Sequence, residues 1–234
     1  MSMPGGLKDL SKALISSKSG IAGLAMLIII IGISVFALLF VPFDVVSKWN
    51  DPTFWQKNPR IASPEWAPVQ NKNLPPTIVV SAEEFDKYEY FVELSGIKYE
   101  TFEARINYDY DDFPSELLAV IHANFSENRP LATISLIRPD GAEVTLYRNI
   151  LSNPLSYFYI SSDSEIRANV NRFLENFGIS NTQAAYPEIS LFAVKNEDMA
   201  HPRRASVLKG YYRIRVEIMA SRKSDTANPE FIIY

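Results

Sequence analysis

Cysteine is absent from the 234 residues, and histidine occurs only twice, at His122 and His201. Without thiols the chain has no disulfide, no thiolate metal site and no cysteine nucleophile. The two histidines lie far apart, and the sequence contains no nucleophile elbow, glycine-rich phosphate loop or HExxH helix. We therefore expect that the chain is not an enzyme and that it holds no cofactor and no metal.

An excess of basic charge is also lacking. The chain has 23 Lys and Arg against 27 Asp and Glu, a net charge of −4, so we expect no nucleic-acid partner. One acidic cluster, Asp109, Asp111 and Asp112 in NYDYDDFPSE, offers oxygen ligands of the kind that Ca²⁺ prefers. The cluster lacks the glycine and the closing glutamate of a calcium loop, so the pattern favours a solvated turn between two strands.

Charge of either sign is missing between Lys18 and Asp44. At about 1.5 Å per residue, a helix over 19–43 is roughly 37 Å long, and a hydrocarbon core is about 30 Å thick. The sequence therefore predicts one transmembrane helix. The apolar run is longer than that of a signal peptide, and no small-x-small cleavage site follows it, so an uncleaved anchor is favoured over a signal peptide.

Positive charge precedes this helix, at Lys8, Lys12 and Lys18 against Asp9. Lys and Arg concentrate on the cytoplasmic side of membrane helices. We therefore expect residues 1–18 to form a cytoplasmic arm. The chain would lie in the cell membrane as a single-pass protein in contact with lipid, with everything after the helix outside.

All three tryptophans follow the predicted helix within a proline-rich strap, residues 44–76. The strap is marked by Trp49, Trp55, Pro59, Pro64 and Trp66. Indole rings prefer the headgroup layer, and prolines favour a non-helical path. We expect Trp49 to lie at the headgroups, and Trp55 and Trp66 to pack against the domain that follows.

Short runs rich in β-branched and aromatic residues predict a β-sandwich over 77–234. The expected strands are 77–81, 88–94, 99–108, 117–125, 131–137, 143–148, 157–160, 188–194, 207–219 and 231–234, with a turn at 138–141. One amphipathic helix interrupts them. Ser162 and Glu165 form a capping box at its start, and Gly178 stands at the C′ position after its end.

A possible glycosylation site lies on the fourth of these strands. Asn124-Phe125-Ser126 fits the acceptor pattern for N-linked sugar. An outward-facing domain makes such a site plausible, although a position on a strand edge argues against it.

Two segments carry a resemblance to a known family. Residues 7–43 are similar to the N-terminus of the C-type permease subunit of dipeptide/oligopeptide ABC importers, with Lys18-Ser19-Gly20-Ile21-Ala22-Gly23-Leu24 as the counterpart of its basic arm. DPTFWQKNPRIASPEWAP resembles the DP-x-x-W-x-x-NP-x-x-x-PP-x-W signature of archaeal members. The matching residues are Asp51, Pro52, Trp55, Asn58, Pro59, Pro64 and Trp66, while Ser63 replaces a proline. Those permeases also carry a large outer β domain after their first helix.

The resemblance implies that the chain is the N-terminal part of an ABC importer permease for peptides or oligosaccharides. Its outer domain would stand at the pore mouth and meet the substrate-binding lipoprotein. Its other partners would be the remaining permease helices, a second permease subunit and, indirectly, the ATPase subunits. The family's further helices, its GTD-x-x-GRD segment and its coupling helix are not in this sequence. We therefore expect the chain to be a fragment of a longer permease.

Other classes of protein stay open. A single-pass archaeal surface protein or pilin-like subunit also joins a basic arm and an apolar helix to a β-rich head. Ser19-Gly20-Ile21-Ala22 loosely resembles a class III signal processing site, but Ser19 stands where Lys or Arg is expected. A pilin helix also normally enters its head without a Pro/Trp strap. A membrane-anchored enzyme or carbohydrate-binding module is a third alternative.

Overall fold

The computed structural model describes residues 16–51, 55–58, 74–125, 128–179, 186–221 and 225–234. The chain forms two compact units, Met1–Gln56 and Lys57–Tyr234. The boundary between them falls inside the predicted strap 44–76, and each unit is described by itself.

The first unit contains the long apolar helix α1, Lys18–Phe40, and the short helix α2, Phe43–Ser47. Ser17 caps α1, because its hydroxyl accepts a hydrogen bond from the Gly20 N–H at 2.9 Å. Pro42 lacks an N–H and separates the two helices. No residue of α1 is buried, and the helix is long and apolar enough to cross a membrane. The observed helix begins one residue before the predicted span 19–43 and ends three residues before the predicted end.

The second unit is mainly β. Its described residues form nine strands, β1 Ile78–Val80, β2 Asp86–Val92, β3 Ile97–Tyr108, β4 Leu117–Asn124, β5 Leu131–Ile137, β6 Glu143–Ile150, β7 Leu155–Tyr159, β8 Gly210–Ala220 and β9 Thr226–Ile233. They form two antiparallel sheets, a four-stranded sheet in the order β1-β9-β4-β7 and a five-stranded sheet in the order β2-β3-β8-β5-β6. A 3₁₀ turn, Ala82–Glu84, precedes β2.

Buried side chains from both sheets share one hydrophobic core. In β3 the even-numbered residues from Lys98 to Tyr108 are buried, and the odd-numbered residues face the other way, as expected for a sheet with one covered face. β4 is buried almost throughout, because Leu118 and Val120 on its second face form a small separate cluster with Ile232. The predicted sandwich-like architecture is thereby confirmed for the second unit.

The β5–β6 hairpin is also confirmed. Residues 138–141 form its turn, in which Gly141 donates its N–H to the Arg138 carbonyl at 3.0 Å. Gly141 has a φ of 83°, a conformation that glycine adopts without steric cost. The register of the two strands shifts between Ile134 and Ser135, which marks a β-bulge.

Helix α3, Ser164–Glu175, closes one side of the core with four buried residues, Ile166, Val170, Phe173 and Leu174. The predicted capping residue Ser162 is wrong by one position. Asp163 is the N-cap, since its carboxylate accepts hydrogen bonds from the N–H groups of Glu165 at 2.8 Å and Ile166 at 3.1 Å.

The end of α3 agrees with the prediction. The Gly178 N–H bonds the Glu175 carbonyl at 2.9 Å, and the Ile179 N–H bonds the Leu174 carbonyl at 3.1 Å. These two bonds form a Schellman motif, with Gly178 in its left-handed position at a φ of 77°.

The predicted strand over 188–194 is wrong. The structure has a short helix there, α4, Pro187–Ser190, because Pro187 fits the first turn of a helix and cannot donate to a ladder. Only Ala193 makes an isolated bridge, to Val207. β8 therefore begins at Gly210 rather than at residue 207, and β9 begins five residues before the predicted position.

Candidate functional site

Two carboxylates of the acidic cluster that follows β3 pair with a lysine. Lys209 Nζ lies 2.8 Å from Asp111 Oδ1 and 3.5 Å from Asp109 Oδ1, and its hydrogen bond to Asp111 raises the pKa of Lys209. Both carboxylates are mostly exposed, so the arrangement is that of a solvated turn. Across the described ranges, no group of three or more His, Asp or Glu side chains is placed to hold a metal ion.

The two histidines do not share a hydrogen-bonded site in the structure. His122 lies exposed on β4, and it lines an open groove of about 330 Å³ together with Leu155 and Thr226. His201 lies in the loop before β8, where its Nδ1 accepts a hydrogen bond from the Arg203 N–H at 3.3 Å.

Asn124 is the last residue of β4 and lies opposite Thr226 of β9. Its side chain is exposed, so an acceptor amide would be accessible at this position. Ser126, the third residue of the glycosylation pattern, lies outside the described residues, and glycosylation stays a prediction.

Part of the tryptophan strap is visible in the first unit. The Trp55 indole N–H donates a hydrogen bond to the Trp49 carbonyl at 2.9 Å. The two rings meet edge to face with centroids 5.4 Å apart, and Trp49 is 65% exposed. This pair, in which Trp49 is exposed and Trp55 is half-buried, follows the apolar helix directly and suits the headgroup layer. Pro59, Pro64 and Trp66 lie outside the described residues, so the packing of the strap against the β domain stays a prediction.

An exposed aromatic surface lies at the β2 edge of the second unit. Tyr88 and Tyr90 of β2 are 61% and 58% exposed. The Tyr90 ring stacks on Tyr99 of β3, with centroids 4.7 Å apart and planes 9° from parallel. We refer to Tyr88, Tyr90 and Tyr99 as the tyrosine edge. Large exposed aromatic groups of this kind mark interaction surfaces.

An apolar row continues from the tyrosine edge across the outer face of the five-stranded sheet. The strand register aligns Tyr90, Tyr99, Met219, Leu131 and Ile150, one residue from each strand. At a strand spacing of about 4.8 Å, four intervals give a row about 19 Å long. We refer to these five residues as the outer apolar row.

Charged residues bound this row further along the same face. Arg215 Nε lies 2.6 Å from Glu103 Oε1, and Arg215 Nη1 lies 3.1 Å from Glu143 Oε1. These pairs connect β3, β8 and β6 across the sheet. The outer face therefore has an apolar end and an ionic end, and the apolar end lies on the side where β2 turns into β3.

The two edges of the five-stranded sheet differ. At the β6 edge, the Asn169 side-chain amide of α3 donates a hydrogen bond to the Leu146 carbonyl at 2.9 Å, so α3 satisfies part of that edge. At the other edge, β2 pairs with β3 alone among the described strands. Over residues 86–90, the N–H and C=O groups on that side of β2 pair with no described strand, so another strand can use them as a template.

A buried ionic cluster lies on the inner side of the β2 edge. Glu100, with a fully buried side chain, lies 2.7 Å from Lys87 Nζ and 3.0 Å from Lys98 Nζ. Lys98 also donates to the Asp225 carbonyl at 2.9 Å, which ties β3 to the start of β9 in the other sheet. Burial alone would lower the pKa of Lys87, but hydrogen bonds to Glu100 and Glu89 outweigh it and raise that pKa. The inner side of β2 is therefore charged, while its outer side is aromatic.

In the comparison with known proteins, neither the protein-family models nor the curated proteins contain a match to the chain. The tyrosine edge was not identified in the sequence analysis. Its signal is the Tyr-x-Tyr alternation of residues 88–90, which predicts a strand but does not show which side of the sheet its tyrosines face.

Proposed function

We propose that this chain forms the N-terminal membrane helix and outer domain of an ABC importer permease for peptides or oligosaccharides. Helix α1 is the observation that carries the proposal. It has 23 residues, and none of them is buried. Because its surface is apolar on every side, such a helix needs lipid or other helices around it. The first helix of a permease has both.

The β domain would lie outside the membrane at the pore mouth and meet the substrate-binding protein there. The part of the outer apolar row on β8, β5 and β6 supports this role, because Met219, Leu131 and Ile150 place apolar side chains next to one another on the outer face. The contact of the exposed Trp49 with Trp55 supports an interfacial position for the start of the strap.

Isolation of the protein from its native membranes tests the proposal. The native gene product that contains this segment is tagged at its N-terminus and isolated in mild detergent after cross-linking. We expect a second permease subunit and ATPase subunits in every preparation, and the binding protein in cross-linked ones. Ile150→Asp, at the exposed β6 end of the outer apolar row, should lose the binding protein and keep the other subunits. Isolation without any ATPase or second permease subunit would contradict the proposal.

A single-pass surface protein with a β-rich head is the second candidate. The open edge of β2 favours it, because a protein that contacts its neighbours on a cell surface can use such an edge. The same isolation separates the two candidates, since this one predicts no ATPase subunit.

A further inference from the structure

We propose that two copies of this chain associate through β2. The two β2 strands would pair antiparallel about a two-fold axis at Tyr88, and the two five-stranded sheets would continue as one ten-stranded sheet. The pairing needs only the β domain, so it holds whether or not the chain belongs to a permease.

The strand β2 has the length and exposure that pairing requires. It contains seven residues, and six of them are exposed. Among the described strands it pairs with β3 alone, whereas the opposite edge of the sheet is partly satisfied by α3. A second strand at β2 would bond main-chain groups of residues 86–90 that pair with no other described strand, which is the basis of strand addition.

The charges of β2 select the register and the occupant. With the axis at Tyr88, Lys87 of one copy lies opposite Glu89 of the other, and this pair occurs twice. With the axis at Lys87 or at Glu89, that residue would face its own copy, and like charges directly opposite are destabilising. A two-fold axis that fell between two residues of β2 would turn one sheet over and place its buried face in water.

The outer face is self-complementary in the same register. Tyr88 lies opposite Tyr88 of the second copy, and Asp86 lies opposite Tyr90, whose hydroxyl can donate to the carboxylate. Both tyrosines lose exposed surface when the strands pair. All five residues from Asp86 to Tyr90 thus meet a suitable partner, which makes a second copy the occupant that this edge fits.

The charged inner side of β2 is compatible with pairing. Lys87 and Glu89 have side chains that are 39% and 53% exposed, and they lie 3.0 Å apart within one strand. The core encloses neither side chain, so each can turn toward a partner strand. Glu100 keeps Lys98 at 3.0 Å in either arrangement.

Disulfide trapping tests the pairing. Because the chain has no cysteine of its own, any disulfide must form between introduced cysteines. Tyr88→Cys is introduced into the full chain in detergent micelles or lipid vesicles. Residues directly opposite in an antiparallel pair have Cβ atoms about 5 Å apart, close to disulfide range. We expect mild oxidation to give a covalent dimer. The matched control is Tyr211→Cys. Tyr211 is 67% exposed on the same face, but it lies eight residues along β8 from Met219 of the outer apolar row. It should cross-link at least about tenfold more slowly.

A charge reversal then tests the register. Glu89→Lys in the Tyr88→Cys chain places lysines opposite lysines in both pairs, so cross-linking should slow about tenfold. Glu89 is half-exposed, so this variant should fold, and its near-ultraviolet circular dichroism should match the parent. Mixing it with the Lys87→Glu, Tyr88→Cys chain should restore cross-linking, because opposite charges meet again.

Two results would overturn the proposal. One is equal cross-linking rates for the Tyr88→Cys and Tyr211→Cys chains. The other is a Glu89→Lys chain that folds and cross-links as fast as its parent. A chain that stays monomeric, and cross-links only when a different protein is added, would likewise assign the edge to that other partner.

Discussion

Replacement of Arg138 should be among the most damaging single changes in the β domain. Its side chain is completely buried at the end of β5. The guanidinium donates hydrogen bonds to the carbonyls of Ser190 at 3.1 Å, Leu191 at 2.7 Å and Ala193 at 2.5 Å. It also pairs with Asp140 at 3.0 Å. One side chain thus fixes the segment that follows α4 onto the β5–β6 turn.

The size of the effect follows from these bonds. A hydrogen bond from a charged donor contributes about 1.5–3 kcal/mol, and a buried carbonyl without a donor costs about 1–3 kcal/mol. Arg138→Met keeps the apolar stem and leaves three carbonyls without their donor. Relief from burying the guanidinium offsets part of this loss, so we expect about 3–5 kcal/mol, as for other broken buried pairs. Arg138→Lys keeps the positive charge but loses the planar guanidinium with its several fixed donors, and should lower the free energy of unfolding by about 2 kcal/mol.

Urea unfolding of the full chain in micelles, followed by the tyrosine circular dichroism in the near ultraviolet, measures these differences. The matched control is Arg105→Met on the exposed face of β3, which should change stability by less than about 0.5 kcal/mol. If Arg138→Met lies within 1 kcal/mol of the parent, at an unchanged dependence on urea, the assigned role of Arg138 is incorrect.

Acid should report on the same contact. Burial acts to raise the pKa of Asp140, but hydrogen bonds from Arg138 and from the Ala142 N–H outweigh it and hold that pKa below its ordinary value. The ionised form is therefore stabilised by folding. This contribution is present above about pH 4 and is lost as the pH falls through the lowered value. The loss should be smaller in Arg138→Met than in the parent.

Two further predictions concern other parts of the chain. Burial and the nearby charge of Glu116 raise the pKa of Glu188, so ionisation opposes folding as the pH rises through that value. Glu188→Gln should therefore be more stable than the parent at pH 7, with the difference vanishing near pH 4 in urea titrations. In thermal melts, Trp66→Ala should lower the free energy of unfolding by about 3–5 kcal/mol if the strap packs on the β domain. Trp49→Ala should barely change it, because Trp49 is exposed. Equal, small losses of stability in both variants would mean that the strap is a lipid-bound linker.

The sequence predicted elements wherever one local pattern decided the outcome. The uncharged run gave α1, alternation gave β3, and the turn at 138–141 gave the β5–β6 hairpin. The prediction failed at 188–194, where apolar residues suggested a strand but Pro187 started a helix. It also missed Arg138, because nothing local to this residue shows that carbonyls more than 50 positions away will surround it.

The candidate surface was less accessible to sequence reasoning than the fold. Tyr88 and Tyr90 were placed in a strand, but strand order decides whether that strand lies at an edge, and strand order depends on long-range pairing. Only the five-stranded arrangement shows that β2 has one neighbour among the described strands and that Tyr90 aligns with the outer apolar row. The ionic cluster around Glu100 likewise depends on three separate segments.

The central claim, a β domain held outside the cell by one N-terminal membrane helix, is tested most directly by cysteine labelling. Single cysteines are introduced at Ser2 and at Leu94, a fully exposed residue of the β2–β3 turn. The parent chain has no cysteine to interfere. With a membrane-impermeant maleimide on intact cells, we expect Leu94→Cys to react and Ser2→Cys to react only after the cells are opened. Protection of Leu94→Cys together with labelling of Ser2→Cys would show the opposite orientation and contradict the account.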